Sequence, residues 1–220
     1  MRISGGRARG IVLQTGGVEG VRPATDRLRQ AVFSSLGAAV MGRRFLDLFA
    51  GTGAYGLEAL SRGAAAGVFV EKNRNLAAVL ESNLQAVSKS MSLEQPSCRI
   101  ITADVLTWKA LKEERFDLIF AGPPYRMIPD IAETLFARAN EWLAEGPQAR
   151  LLFEMPGELE YAPPPGWKLC RRLGQGRRQP TMALYARPEQ SSNPESPNHK
   201  YYEISLKGII EPQFPRDHRP

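Results

Sequence analysis

Apolar positions recur along this chain with two periods, and the places where the period switches mark out its elements. Between residues 24 and 40, Leu28, Ala31, Val32, Ser35, Leu36 and Val40 keep helical spacing. That predicts an amphipathic helix with Thr25 or Asp26 as N-cap, Pro23 just ahead, and Arg27 and Arg29 on or near the polar side. Short apolar runs then alternate with helical ones. Strands are predicted at Phe45–Phe49, Gly67–Glu71, Arg99–Thr102, Phe116–Ala121 and Arg150–Met155, and helices at 55–62, 73–87, Val105–Leu111 and Ile128–Leu143. In the helix 73–87, Leu76, Val79, Leu80, Leu84 and Val87 form the inward stripe. This alternation predicts an α/β fold, a mostly parallel sheet covered on both faces. Two closely spaced runs, 166–173 and 180–187, predict a final antiparallel pair. Ahead of the first helix, RISGGRARGIVLQT at 2–15 reads as a small β-hairpin arm turning at Gly5-Gly6 or Gly10. From Pro188 the pattern is lost. PEQSSNPESPNHK is polar and proline-rich, a composition that favours disorder, and YYEISLKGII at 201–210 could dock as a strand or helix, with no role assigned. The organisation expected is an arm over 1–22, an α/β domain over 23–187 and a largely disordered tail over 188–220.

Composition narrows the class. The chain has 220 residues, 43% hydrophobic and 24% charged, which fits one sizeable domain. No apolar run reaches the roughly 20 residues that span a bilayer, and MRISGGR lacks the apolar core of a signal peptide. The two cysteines, Cys98 and Cys170, form no CxxC pair, so a reduced, cytoplasmic protein without structural zinc is expected, both cysteines serving as small core residues. His199 and His218 lie in the tail, which argues against a metal or histidine-based site. Charge is unevenly placed. Residues 1–44 carry eight arginines, no lysine and two acids, so the whole net charge of +6 sits in the first fifth of the chain. Such a segment can be an ordinary solvated face, but guanidinium forks suit phosphates and stack on bases, and the all-arginine concentration points to nucleic acid. Lys168, Arg171, Arg172, Arg177 and Arg178 form a second cluster in a stretch free of acids.

Candidate chemistry gathers at the strand ends. FDLIFAGPPY at 116–125 is a buried strand running into a rigid loop. Two prolines fix φ and remove two donors while leaving both carbonyls to accept, and Tyr125 adds a ring on which a planar substrate can stack. Gly122 is the odd residue, lacking a side chain where a polar one would be useful. Gly51-Thr-Gly53-Ala-Tyr-Gly56 is a GxGxxG match after a strand and before a helix, compatible with NAD, FAD, another nucleoside cofactor or simply a tight turn. Three acids sharpen it. Glu71 ends the second strand 20 residues after Gly51, the spacing of a carboxylate that accepts from ribose hydroxyls. Asp47, inside the first strand, could reach a cationic amine lodged in the glycine loop, where a pyrophosphate would make a negative charge a liability. Asp104 follows the third strand and could accept from an adenine amino group. An adenosine at one end and an ammonium at the other describe S-adenosylmethionine better than NAD. Trp108, Trp142 and Trp167 are read as packing residues, Asp117 as structural, and Arg126 as either a phosphate contact or a solvated surface residue.

Taken together, MRISGGRARG, VRPATDRLRQAVFSSL, FLDLFAGTGAYGLEALSRGA, FVEKN and FDLIFAGPPY resemble the RsmD-like 16S rRNA guanine-N2 methyltransferases, S-adenosylmethionine-dependent enzymes of class I. The resemblance runs from Met1 to about Tyr125, continues more weakly through LLFEMP and TMALYAR to Arg187, and leaves out the tail. It implies a Rossmann-like class I methyltransferase sheet, mostly parallel with a C-terminal antiparallel strand. It implies a methionine-side pocket at Asp47, Gly51 and Gly53, a ribose contact at Glu71 and an adenine contact at Asp104, with Phe49 and Lys72 in the same cofactor-binding set. Arg22, Thr25 and Arg27, in the RPxTDR element, would lie beside the active site, while Arg2, Arg7 and Arg9 of the arm would grip rRNA. Gly122, Pro123, Pro124 and Tyr125 would hold the target base. The implied partner is 16S rRNA, free or within a partly assembled small subunit, and the implied state a monomer. The family pattern at the loop is Asp-Pro-Pro-Tyr or Asp-Pro-Pro-Phe, and this chain has Gly122. Methylating an exocyclic amine is mostly a matter of positioning, so loss of one oriented acceptor there is expected to cost about 10²–10³ in rate. Two readings follow: an active methyltransferase in which water or a neighbouring group replaces the missing carboxylate, or a cofactor- and RNA-binding protein with weak or lost activity.

Overall fold

The computed structural model describes residues 1–16, 25–94, 97–174, 176 and 179–188. Arg22, Pro23, Arg177, Arg178 and the tail from Glu189 lie outside the described residues. Seven strands, β1 Arg44–Leu48, β2 Ala66–Glu71, β3 Cys98–Thr102, β4 Leu118–Ala121, β5 Arg150–Pro156, β6 Lys168–Leu173 and β7 Pro180–Ala186, form one sheet in the order β3-β2-β1-β4-β5-β7-β6. The first five are parallel. β7 runs antiparallel between β5 and β6. The strand order reverses beside β1, so the ends of β1 and β4 lie at the switch point where open α/β sheets place their ligands. The fold is the Rossmann-like one expected.

Helices α1 Asp26–Leu36, α2 Ala54–Ser61 and α3 Arg74–Ser90 cover one face, and α4 Ile128–Trp142 covers the other. The register explains which residues go where. Asp47, Phe69, Phe120 and Leu152 are paired across β1, β2, β4 and β5, and Phe69, Phe120 and Leu152 belong to the core under α1–α3. One step on, Leu48, Val70, Ala121 and Phe153 point to the α4 side. A further step returns to the first face, because side chains alternate along a strand. Glu71, Gly122 and Glu154 therefore share one row on the α1–α3 side, at the carboxyl end of the sheet.

Several expectations need correction. Val105–Leu111 is not a helix. Asp104 diverts the chain into a turn, its Oδ1 accepting from Leu106 N at 3.0 Å and its carbonyl from Trp108 N at 2.8 Å. Arg138 then donates to the Trp108 carbonyl and the Trp108 ring packs on Trp142, with centroids 5.3 Å apart. Arg29 is not on the polar side of α1 but fully buried. Cys170 is exposed on β6, and Cys98 is only partly buried, so neither is a fully packed core residue. The hairpin arm is present as expected, closed by the bridge of Arg2 to Val12. It is held by Ile3 N to Ile11 O, Gly10 N to Ile3 O and Leu13 N to Met1 O, each 2.9 Å, and it buries Ile3, Ala8 and Leu13 in the core.

That burial is organised by Glu58. It sits on α2 with no exposed side-chain surface and accepts from Ser4 N (2.8 Å), Ser4 Oγ (2.7 Å), Arg29 Nε (3.2 Å) and Arg62 Nε (2.8 Å). Arg29 also donates to the Arg2 carbonyl and to Asp26. A buried carboxylate is tolerated only when paired and hydrogen-bonded, and these partners come from the arm, α1 and α2, so one charge cluster locks the three together.

Candidate functional site

The site is built from two loops that leave neighbouring strands. After β1 the chain turns sharply at Phe49, a non-glycine residue at φ 57°, and then at Gly51, at φ 55°. Ala50 N donates to Val70 O and Gly51 N to Glu71 Oε2 at 2.8 Å. Gly53 follows at φ 88° and caps α2; a Cβ there would lie 2.3 Å from Leu80 Cδ1. At Gly56 a Cβ would lie 2.2 Å from the Phe69 ring. These two glycines let α2 sit down on α3 and the sheet. Gly51 is different: around it a Cβ would meet nothing closer than Phe49 O at 4.0 Å, which leaves its backbone open to a ligand.

Of the expected cofactor residues, Glu71 and Asp47 bond to the backbone of Gly51 and Gly56, and Lys72 and Asp104 pair with each other. Glu71, 8% exposed, accepts from Gly51 N through one oxygen and from Asn73 N, at 2.7 Å, through the other. It thus ties the glycine loop to the start of α3. Asp47, 3% exposed, accepts from Gly56 N at 2.8 Å. Burial pushes its carboxyl up to about 8, against the pull of that N–H and with further repulsion from Glu71 and Glu154. Asp104 pairs with Lys72 at 2.7 Å, and that hydrogen bond, with the one from Leu106 N, holds its carboxyl below the usual range. Phe49 is partly buried against the α4-side core.

The second loop starts where β4 ends. Gly122 N donates to Leu48 O at 3.3 Å, extending the β1–β4 ladder. Pro123 is buried, Pro124 is exposed, and Tyr125 opens a 3-10 turn that leads into α4. Of the two proline carbonyls expected to be open acceptors, that of Pro124 is taken by Met127 N at 2.9 Å. Gly122 has no positive φ, and a Cβ built on it meets nothing within 4 Å, so neither backbone nor space demands glycine.

Sequence reasoning passed over the group that joins the loops. Glu154 of β5, 9% exposed, accepts from Tyr55 Oη at 2.7 Å and from Tyr125 Oη at 3.1 Å. Tyr55, one of the two residues between the second and third glycines, stacks on Phe120 at 5.6 Å and 9°. Burial, with the neighbouring Glu154 charge, pushes its phenol well above the ordinary range. The signal was legible, since Glu154 is the single charge inside the apolar run LLFEMP. A second unread residue is Asn83 of α3. Its amide donates to Thr52 O and Gln14 O, both at 3.0 Å, and its oxygen accepts from Gln14 N at 2.8 Å, linking glycine loop and arm.

The expected RNA contacts divide. Arg2, Arg9 and Arg27 are exposed. Arg7 donates to the Met91 carbonyl at the end of α3, which anchors the arm. Thr25 is the N-cap of α1, its Oγ1 accepting from Leu28 N at 3.2 Å. In the second basic cluster, Arg172 is spent on the carbonyls of Pro156, Gly157 and Leu159, and Arg171 donates to Ser35. Asp117 accepts from Arg44 N and Arg43, a structural role as expected.

Comparison with known proteins gives this arrangement a lineage. Residues 1–184 match the family model described as "Conserved hypothetical protein 95". The chain is 32% identical over 194 residues to ribosomal RNA small subunit methyltransferase D of Escherichia coli, covering 88% of this chain and 93% of that one. A solved structure of a candidate methyltransferase from Escherichia coli superposes with a TM-score of 0.71 at 32% identity, over 86% of this chain and 99% of the other. A more distant methyltransferase, solved with S-adenosylhomocysteine, shares the fold at a TM-score of 0.57 and 14% identity, over 76% of this chain and 50% of that one.

Proposed function

The chain belongs to the RsmD-like family of methyltransferases, and on that premise we propose that it methylates the exocyclic N2 amine of a guanine in small-subunit (16S) rRNA, with S-adenosylmethionine as donor. The observation that carries this reading is the pairing of the two loops: the glycine loop, tied to Glu71, and the Gly-Pro-Pro-Tyr loop leave adjacent strands at the switch point.

The residues present fit the cofactor. Asp47 and Glu71 are buried carboxyl groups of one cleft, and the Glu71 charge repels that of Asp47. A ligand bringing its own positive charge relieves that repulsion, whereas a pyrophosphate would add to it. Asp47 and the open backbone at Gly51 would hold the ammonium end. Glu71 would hold the ribose, with Asp104 and Lys72 toward the adenine. Bound there, S-adenosylmethionine supplies a methyl group on a sulfonium, an electrophile that needs no activation by the protein. What remains for the chain is positioning. The base must be unstacked or arrive in a loop, and Tyr125 offers the ring for it to lie on. Acceptors beside Pro123 then orient the amine so that its nitrogen lone pair faces the methyl. The alkylated nitrogen releases a proton to an acceptor or to water. Arg2, Arg9 and Arg27 supply phosphate contacts that fix the RNA without reading its sequence.

The test is methyl transfer from a labelled donor to unmodified small-subunit rRNA by the purified protein, with label recovered in N2-methylguanine. Binding of S-adenosylhomocysteine without any transfer would overturn the proposal. Gly122 favours a second reading, a cofactor- and RNA-binding protein with weak activity. An inactive wild type made active by Gly122→Asp would carry that one.

A further inference from the structure

Gly122 removes a side-chain acceptor from the loop, but the sheet places a carboxylate beside the gap. Ala121 pairs with Phe153, the last pair of the β4–β5 register, and carrying that register one step past β4 sets Gly122 beside Glu154 at the strand spacing of about 4.8 Å. Both face the same side. Two side chains in such a row stand next to each other, so a carboxylate from β5 borders the space that an aspartate at 122 would occupy. That space is open, with nothing within 4 Å of a Cβ on Gly122. Glu154 is also aimed at the loop, since Oε1 receives the Tyr125 hydroxyl at 3.1 Å while the shorter bond, 2.7 Å from Tyr55, steadies Oε2 against α2.

We infer that Glu154 is the acceptor for the target amine, standing in from the neighbouring strand for the side chain that Gly122 lacks. The Tyr125 hydroxyl occupies the amine's place on Oε1 until the base arrives. When the ring of Tyr125 receives the base, its hydroxyl gives up Oε1, and an N–H of the substrate takes it. Guanine presents N1–H and the N2 amine side by side as donors, an edge that a carboxylate accepts and that the acceptor N1 of adenine would not satisfy. Glu154 would therefore favour guanine as well as orient the amine, and methyl transfer would leave its carboxylate next to the nitrogen that must lose a proton. The inference rests on the guanine methyltransferase reading above.

The experiment compares wild type, Glu154→Gln, Glu154→Asp, Tyr125→Phe, Gly122→Asp and the double variant Gly122→Asp/Glu154→Gln on unmodified small-subunit rRNA. Methyl transfer, S-adenosylhomocysteine affinity and melting temperature are measured for each. Glutamine keeps the shape of Glu154 and can still bond both phenols, so its fold and cofactor affinity are expected to hold. Losing the oriented charged acceptor is expected to cut kcat about 10²–10³-fold. Glu154→Asp, which withdraws the carboxylate by one methylene, should fall in the same direction and serves if glutamine disturbs the fold. Gly122→Asp should restore Glu154→Gln at least tenfold, by returning an oriented carboxylate to the loop. If Glu154→Gln loses no more than Tyr125→Phe, or if Gly122→Asp fails to rescue it, Glu154 only seats the tyrosine and the inference is overturned. A wild type that transfers no methyl to rRNA overturns the functional reading and this inference with it. An active wild type indifferent to Glu154→Gln overturns the inference alone.

Discussion

Asp47 makes the proposed cofactor pocket a pH-sensitive load on the fold. Its carboxyl is raised from 3.8 to about 8, chiefly by burial. Below roughly pH 4 the group is neutral whether the chain is folded or not. Between there and pH 8 the unfolded chain has released a proton that the folded one keeps, so each unit of rise costs the folded state about 1.4 kcal/mol. Above pH 8 both forms are ionised and the full cost stands. Asp47→Asn keeps the acceptor for Gly56 N and removes the titration. From pH 5 to pH 8 the wild type should therefore lose roughly 4 kcal/mol relative to Asp47→Asn. Urea unfolding of the cofactor-free proteins at both pH values measures this as a double difference, in which the groups common to both cancel. S-adenosylhomocysteine, which carries an ammonium, should release a proton on binding to the wild type at pH 7 and not to the variant, as seen by calorimetry in two buffers of different ionisation enthalpy. A double difference below 1 kcal/mol, or of opposite sign, would refute the claim that Asp47 is a buried carboxyl waiting for a cation.

Other outcomes are as specific. Glu58→Ala leaves the buried Arg29 with only one of its two carboxylate partners, Asp26, and should destabilise by about 3–5 kcal/mol, read by urea unfolding; a loss under 1 kcal/mol would mean that the Glu58 cluster does not hold the arm. Gly53→Ala puts a methyl 2.3 Å from Leu80 Cδ1 and should cost about 1–3 kcal/mol from overpacking, with weaker cofactor binding as α2 shifts. Arg9→Ala should lower the salt-dependence slope of RNA binding by about 0.7–0.9, measured by titration at several salt concentrations, while leaving the melting temperature unchanged; an unaltered slope would remove Arg9 from the RNA surface.

The sheet was legible because β1, β2, β4, β5 and β7 are nearly continuous apolar runs, the mark of strands buried on both faces. Asp47 and Glu71 were legible for the same reason, as charges where that pattern admits none. Glu154 carries the same mark but lies 29 residues after Tyr125, and only the register of β4 against β5 brings it to the loop. The expected helix at Val105–Leu111 stops at one turn, capped by Asp104, whose side chain accepts from Leu106 N and whose carbonyl accepts from Trp108 N. Arg29 misled because helical periodicity treats every arginine as solvent-facing, and its partner Glu58 lies 29 positions away on another element.

The docking of the arm has a consequence for synthesis. Ser4 waits for Glu58, 54 residues later, Gln14 for Asn83, 69 later, and Arg7 for Met91, 84 later. A chain made from its amino end thus exposes Arg2, Arg7 and Arg9 well before the helices that will hold them exist. The arm can take its native shape only after the glycine loop and α3 have formed. Its backbone is then held by α2, through Glu58 and Ser61, the helix into which the glycine loop opens. Assembly of the pocket comes before assembly of the basic surface, and a nascent chain stalled before α3 would carry an arginine-rich end without the geometry that makes it selective.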